Sequence, residues 1–265
     1  MKRAFAFVPP QTIGLGPVEV RVYSLCLLAG IITGYYLAKP AALRQKISAD
    51  TLQLSIFYGF IPGLLGARAY HVIDLWDYYL ANPGQIAAIW NGGLGIFGGI
   101  VGGLIGLAVL ARRKKLPLLT LLDVWAPSML LAQAIGRLGN WANQEAFGQP
   151  TDLPWGVYIE PLHRPENYLA DQYFHPAFLY EALWNLLGVI VLIIIRKRVA
   201  TRPGTLLGLY FVWYGLGRFF IEFFRLDTAQ TFGIATAHLL SAFMLVAGLY
   251  LIGRVRPARK RARRR

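Results

Sequence analysis

The chain has 265 residues, of which 56% are hydrophobic and 15% charged. A water-soluble domain of this size would carry more charge and would lack repeated apolar stretches of about twenty residues. The formal net charge of +14 is gathered in four clusters beside apolar stretches, which argues for membrane topology and against nucleic-acid binding. Cys26 is the single cysteine, so intramolecular disulfides and cysteine-based metal clusters are excluded.

Seven apolar spans are predicted, at about 19–38, 52–72, 92–111, 118–138, 176–195, 204–224 and 234–253. The first is long enough to stay in a bilayer and Pro9-Pro10 interrupts what precedes it, so no cleavable leader is expected. Lys39, Arg44 and Lys46 follow span one, and Arg112, Arg113, Lys114 and Lys115 separate spans three and four. Arg196, Lys197, Arg198 and Arg202 follow span five, and the tail from Arg254 to Arg265 follows span seven. With seven spans, every basic cluster falls on one side of the membrane, with the N-terminus outside and the C-terminus inside. The expected fold is therefore an all-α polytopic membrane protein of seven transmembrane helices. It forms one domain over 1–265, with an outer-side loop region at about 139–175 and a basic cytoplasmic tail at 254–265.

The outer loops are rich in aromatic residues suited to the head-group level: Trp76, Tyr78, Tyr79 and Trp90 in one, Trp141, Trp155, Tyr158, Tyr168 and Tyr173 in the other. The Pro and Asp content of the second predicts short interfacial helices and turns. Span three is glycine-rich, with Gly95/Gly99, Gly98/Gly102 and Gly99/Gly103 spaced for close helix packing. Gly92 and Gly93, at its outer end, would let the backbone approach a ligand.

Two spans carry polar groups that are costly at membrane depth. The run Gly136-Arg137-Leu138-Gly139-Asn140-Trp141-Ala142-Asn143-Gln144-Glu145 closes the fourth, where Arg137 and Asn140 share a helix face. In the sixth, Tyr214, Arg218, Glu222 and Arg225 fall within an arc of about 80° on an ideal helix. Guanidinium is planar, stays charged and bonds phosphate bidentately, so the pair of arginines points to an anionic lipid head group. The bland alternative is an Arg–Glu salt bridge that only orients helices. Arg68 either snorkels outward or serves function. Asp123 has a structural or capping role, and Glu181 is a partner for an arginine. His71, His163 and His238 lack metal-ligand spacing, so no metal and no cofactor is expected.

The signature from Gly136 to Gly148, followed by Thr151-Asp152-Leu153-Pro154-Trp155, resembles that of the bacterial prolipoprotein diacylglyceryl transferase family. Further matching pieces are Gly66-Ala67-Arg68-Ala69-Tyr70, Trp90-Asn91-Gly92-Gly93-Leu94, His175-Pro176 with Leu179-Tyr180-Glu181, and Tyr214 through Asp227. Tyr23 is similar to a tyrosine the family uses. The resemblance implies a multi-pass enzyme of the bacterial cytoplasmic membrane. Its reaction would move the diacylglyceryl group of phosphatidylglycerol onto the lipobox cysteine thiol of a preprolipoprotein, forming a thioether and releasing glycerol phosphate.

On that reading, Arg137 and Arg218 neutralise the departing phosphate, while Asn140, Asn143 and Tyr214 hydrogen-bond the head group. Glu145 and Glu222 hold the arginines, and Tyr23, Gly92, Gly93, Gly148 and Arg225 contribute to substrate binding. One position departs from the family pattern: Phe97 stands where the family often has a histidine proposed to matter for activity, so any proton transfer through that imidazole does not apply unchanged. Ala237-His238-Leu239-Leu240-Ser241 resembles a stretch that usually has glutamine at the His238 position. Two other readings remain open from the residues: a carrier for lipid or an anionic solute, and a catalytically silent relative.

Overall fold

A computed structural model describes residues 7–199, 202–226, 230–231 and 234–254. The expected tail beyond Arg254 lies outside the described residues. The chain opens on a hairpin of β1 (Thr12–Leu15) and β2 (Val18–Arg21), antiparallel with Thr12 opposite Arg21. Among the described residues eight α-helices follow: α1 (Val22–Arg44), α2 (Ala49–Asp74), α3 (Trp76–Ala81), α4 (Ile96–Arg113), α5 (Leu118–Ala142), α6 (Ala177–Val199), α7 (Thr205–Glu222) and α8 (Thr236–Gly253). All but α3 coincide with one of the seven expected spans. Five of them, α1, α4, α5, α6 and α8, are long and apolar enough to cross a membrane.

The chain divides into two compact units, Lys39–Leu122 and the remainder on either side of it. In the Lys39–Leu122 unit, α2 starts on Ser48, whose Oγ accepts from Thr51 N at 3.2 Å, with Asp50 in the first turn complementing the helix dipole. It packs along α4 through a seam in which Gly66 meets the Gly98 carbonyl and Gly102 meets the Pro62 carbonyl so closely that a Cβ would collide. The packing reading of the span-three glycines holds here, because small residues let the two backbones touch. Arg68 does not snorkel. Its guanidinium turns into the loop after α3, where Nε donates to Ile86 O at 2.9 Å, Nη1 to Gly92 O and Gly93 O at 2.7 and 2.9 Å, and Nη2 to Gln85 O. Phe97 lies against Tyr70, ring centroids 6.0 Å apart.

In the other unit, Ala126 and Leu130 of α5 meet Val189 and Leu192 of α6 and Leu206 and Tyr210 of α7 in one apolar core. The α6–α7 pair is locked by two indoles. Trp184 and Trp213 stack at 4.6 Å, and each Nε1–H donates to the other's carbonyl, at 2.9 and 3.0 Å. Tyrosine and tryptophan bury well when their polar hydrogen finds such a partner. This lock sits within a turn and a half of Glu181 on α6 and of Arg218 on α7, so it sets the register of those two side chains.

The start of α7 is satisfied from another helix. Asp123 of α5 accepts from Gly204 N at 2.6 Å and Leu207 N at 2.7 Å, so two of the amides at that helix start are bonded, as the expected capping role requires. Asp123→Ala should cost about 1–2 kcal/mol of stability, the usual loss for a cap. Thermal unfolding of purified protein should show the drop, and an unchanged Tm would remove Asp123 from this role.

The segment between α5 and α6 folds around its own small core. β3 (Val157–Tyr158) pairs antiparallel with β4 (Tyr173–Phe174), and short 3₁₀ turns occupy Pro161–His163 and Glu166–Tyr168. Ala146, Phe147, Val157, Ile159, Phe174 and Phe178 are all buried together. The short helices and turns expected here are present, but the strand pairing was not foreseen. Two-residue strands leave too little alternation to read. Near the C-terminal end, β5 (Gln230–Thr231) pairs with β6 (Ile234–Ala235).

Candidate functional site

Arg137 lies five residues before the end of α5 and Arg218 four before the end of α7. Between them stands Glu181, in the first turns of α6 and 1% exposed. Arg137 Nη2 pairs with Glu181 Oε1, and Arg218 Nη1 lies 3.5 Å from Glu181 Oε2. Tyr214, one turn before Arg218, donates its hydroxyl to Glu181 Oε1 at 3.3 Å. Glu222, one turn after, takes Arg218 Nη2 at 2.7 Å and lies 3.8 Å from Arg225 Nε. Three guanidiniums therefore meet two buried carboxylates, and the cluster retains positive charge.

The carboxylates stand at the back and the cations at the front. Side chains of Arg137 and Arg218 keep 21% and 18% of their surface accessible, against 2% for Glu181 and Glu222. Arg218 Nη1 and Arg137 Nε make no hydrogen bond. Positively charged donors held within an apolar helix bundle, two of them buried without a hydrogen-bond partner, are suited to an anion.

The stripe expected on the sixth span holds for Tyr214, Arg218 and Glu222. Arg225 departs from it because α7 ends at Glu222. Its backbone instead forms an antiparallel bridge with Gly148. Gly148 N donates to His175 O at 2.7 Å, His175 N to Gln149 O at 2.9 Å, and Gln149 N to Phe224 O at 2.8 Å. The end of the signature, the entry to α6 and the exit from α7 are thus sewn together. A Cβ on Gly148 would collide with the Phe224 carbonyl and lie 2.9 Å from His175 Cβ, so this close approach needs glycine.

The signature itself turns back on α5. Gln144 and Ala146 both hold left-handed backbones, φ 52° and 59°. Such strain persists only where the surroundings over-determine it. Here Gln144 Oε1 accepts from Glu160 N at 2.6 Å, and Glu145 N bonds Asn140 O at 2.9 Å. Glu145 was expected to hold an arginine. It is exposed and instead accepts from Asn140 Nδ2 at 2.7 Å and Asn143 Nδ2 at 3.3 Å. It reaches Arg137 only through Asn140, whose Oδ1 accepts from Arg137 Nη1 at 2.9 Å. The expected shared face of Arg137 and Asn140 is thereby realised. Tyr23, at the start of α1, packs on Gly139, where a Cβ would lie 2.6 Å from its ring.

Arg137, Asn140, Asn143, Glu145, Tyr214, Arg218, Glu222 and Arg225 are therefore joined through direct contacts and the shared Glu181, with Tyr23 and Gly148 alongside. Gly92 and Gly93 belong to the Lys39–Leu122 unit. There both have positive φ, 86° and 75°, and their carbonyls receive Arg68. His238 of α8 lies between Phe219 and Phe223, 4.9 Å from each ring.

Two features emerge only in the folded chain. Glu181, expected as a partner for one arginine, joins both and Tyr214. Its own helix carries no basic residue until Arg196, a signal that its counter-charge must come from elsewhere. His175, Tyr180 and Trp155 form a second polar group: Trp155 Nε1 donates to Tyr180 Oη at 2.9 Å, which lies 3.1 Å from His175 Nδ1. Partial burial holds the His175 imidazole below its usual pKa.

Comparison with known proteins bears on the same residues. Residues 10–254 match the family described as prolipoprotein diacylglyceryl transferase. Proteins named phosphatidylglycerol–prolipoprotein diacylglyceryl transferase from Staphylococcus aureus, strains bovine RF122 / ET3-1 and MRSA252, are each 41% identical over 254 residues. The alignments cover 94% of this chain and 89% of each relative. With the family pattern running through both units and all of the polar cluster, the chain belongs to the prolipoprotein diacylglyceryl transferase family.

Proposed function

We propose that this chain transfers the diacylglyceryl group of phosphatidylglycerol to the thiol of the lipobox cysteine of a preprolipoprotein, the first step of bacterial lipoprotein maturation. The observation that carries the reading is the accessible cationic edge of Arg137 and Arg218, backed by the buried Glu181 and Glu222. Carbon–oxygen cleavage at the glyceryl carbon builds negative charge on the departing glycerol phosphate. Donors already aligned in a site of low dielectric stabilise that charge without reorganising.

Arg137 and Arg218 clamp the phosphate, and Tyr214, Asn140 and Asn143 hydrogen-bond the head group. Glu181 and Glu222 orient the guanidiniums, while Glu145 orients the two asparagines. Tyr23, Gly148 and Arg225 complete the binding surface around these arginines, and Gly92 and Gly93 of the Lys39–Leu122 unit are assigned to substrate binding on the family resemblance. The nucleophile belongs to the acceptor peptide and attacks as thiolate, forming the thioether as glycerol phosphate leaves. No cofactor enters this scheme.

The whole chain acts as one integral-membrane domain of the bacterial cytoplasmic membrane. It has seven spans, an outer N-terminus, an outer loop region at about 139–175 and a basic inner tail. The five apolar helices and the placement of the basic clusters support this topology. Both substrates reach the site sideways from the bilayer.

Purified protein in detergent, given labelled phosphatidylglycerol and a lipobox peptide without any gradient, should yield lipidated peptide and free glycerol phosphate. Lipid movement between two compartments with no modified peptide would instead establish a carrier and overturn the reading. The same buried arginines would serve a carrier, so product formation is the decisive readout.

A further inference from the structure

The roles above leave the thiol proton without an acceptor. A cysteine thiol has a pKa of about 8.5, so only a few per cent is thiolate near neutrality. In the arginine cluster Glu181 and Glu222 are both engaged by guanidiniums, and Glu145 is engaged by the amides of Asn140 and Asn143. His175 is tied to that cluster through the backbone strip of Gly148 and Arg225, and among the described residues it makes no ion pair.

His175 lies two residues ahead of α6, at the end of a membrane helix rather than within it. Its main chain is bonded on one side to Gly148 and on the other to Gln149, and the same strip continues to Phe224, the neighbour of Arg225. Its ring is fixed from two directions. Tyr180 Oη lies 3.1 Å from Nδ1, and the Phe224 ring packs at 5.5 Å. Trp155 donates into Tyr180 Oη at 2.9 Å and holds that phenol in place. Nδ1 is therefore the anchored nitrogen. When Nδ1–H donates to Tyr180 Oη, the lone pair sits on Nε2, as general-base work requires.

The charged and titratable groups around this ring are few. Tyr180 faces it from α6. The strip at Gly148 and Gln149 contributes none, and beyond α7 it leads to Arg225, whose Nε lies 3.8 Å from Glu222. Among the described residues no carboxylate pairs with the imidazole, and partial burial favours its neutral form.

We propose that His175 is the general base that takes the proton from the acceptor thiol; this rests on the transferase reading. The cysteine of a lipidation motif follows the apolar stretch of its signal peptide, so its thiol arrives at the helix-end level where His175 stands. Nε2 accepts the thiol proton as sulfur forms its bond to the glyceryl carbon. The carbon–oxygen bond breaks, with its electron pair passing to the phosphate oxygen held by Arg137 and Arg218. The imidazolium then returns its proton to the departing phosphate or to water, and neutral His175 is restored.

The test is kcat/KM for lipobox peptide against pH, from about 5.5 to 9, for the full chain and for His175→Gln. Loss of a positioned base costs roughly 10²–10⁴-fold, so at pH 7 a deficit of at least about a hundredfold is expected. That deficit should shrink as pH approaches the thiol's own pKa, because thiolate then forms without help. A merely structural role predicts the same deficit at every pH. His175→Asn, which keeps a donor for Tyr180, should behave alike and covers the case in which the glutamine variant folds poorly. If the parent protein transfers while both variants match its rate, or show a deficit independent of pH, the general-base assignment is overturned. If the parent protein modifies no peptide, the transferase reading itself fails.

Discussion

Arg218→Ala is expected to lower diacylglyceryl transfer by about 10²–10³-fold, the usual loss for one aligned donor at a developing oxyanion. The Arg218 guanidinium is held by Glu222 through Nη2 and lies 3.5 Å from Glu181 through Nη1, so it is positioned before an anion arrives. Arg137→Ala should fall in the same range. The double variant should lose less than the product of the two, since both guanidiniums act on one phosphate through one carboxylate. Lysine at either position keeps the charge but loses the planar fork, so an intermediate rate is expected. Initial rates with labelled phosphatidylglycerol and a lipobox peptide decide the matter. Alanine variants at both positions that retain near-normal transfer would remove the phosphate clamp.

Glu181→Ala should be the most damaging single change for the fold of this unit. The carboxylate is almost fully buried and joins Arg137 of α5 with Arg218 and Tyr214 of α7. Its removal leaves Arg137 without its buried counter-charge and Arg218 with Glu222 alone, and breaking a buried pair in this way typically costs about 3–5 kcal/mol. Glu181→Gln keeps the shape and one acceptor but not the charge, so it should unfold less readily while still losing transfer. Thermal unfolding in detergent, read beside the transfer assay, separates the two consequences. A Glu181→Ala protein with parental Tm and parental rate would mean that the two arginines are held by other groups.

The contrast between these experiments follows from where each charge sits. The arginines keep an accessible edge and act on what enters, while the glutamates lie behind them and act on the arginines. A buried ion pair adds little net stability compared with an apolar core, yet it is costly to break. That is why loss of a cation should register first in rate and loss of the shared carboxylate first in stability.

The composition and periodicity of this chain were enough to establish a helical membrane protein. Partitioning into a bilayer depends on the summed apolarity of about twenty residues and little on neighbours. The polar run around Arg137 and the Tyr214–Arg218–Glu222 stripe were legible for the same reason, since charge stands out against an apolar background. The signature likewise carried the family, because its spacing is local in sequence.

Other features are set by contacts between distant segments, and only the folded chain decides them. Arg225 belongs by periodicity to the α7 stripe, but α7 stops at Glu222 and the bridge to Gly148 redirects it. Glu145 sits in the signature as though made for an arginine, yet the left-handed turns at Gln144 and Ala146 aim it at two asparagines. Glu181 and His175 gain their meaning from helices more than thirty residues away in sequence. Hydrophobicity is additive along a chain, whereas hydrogen bonds and ion pairs are directional and short-ranged, so their partners appear only once the helices have packed.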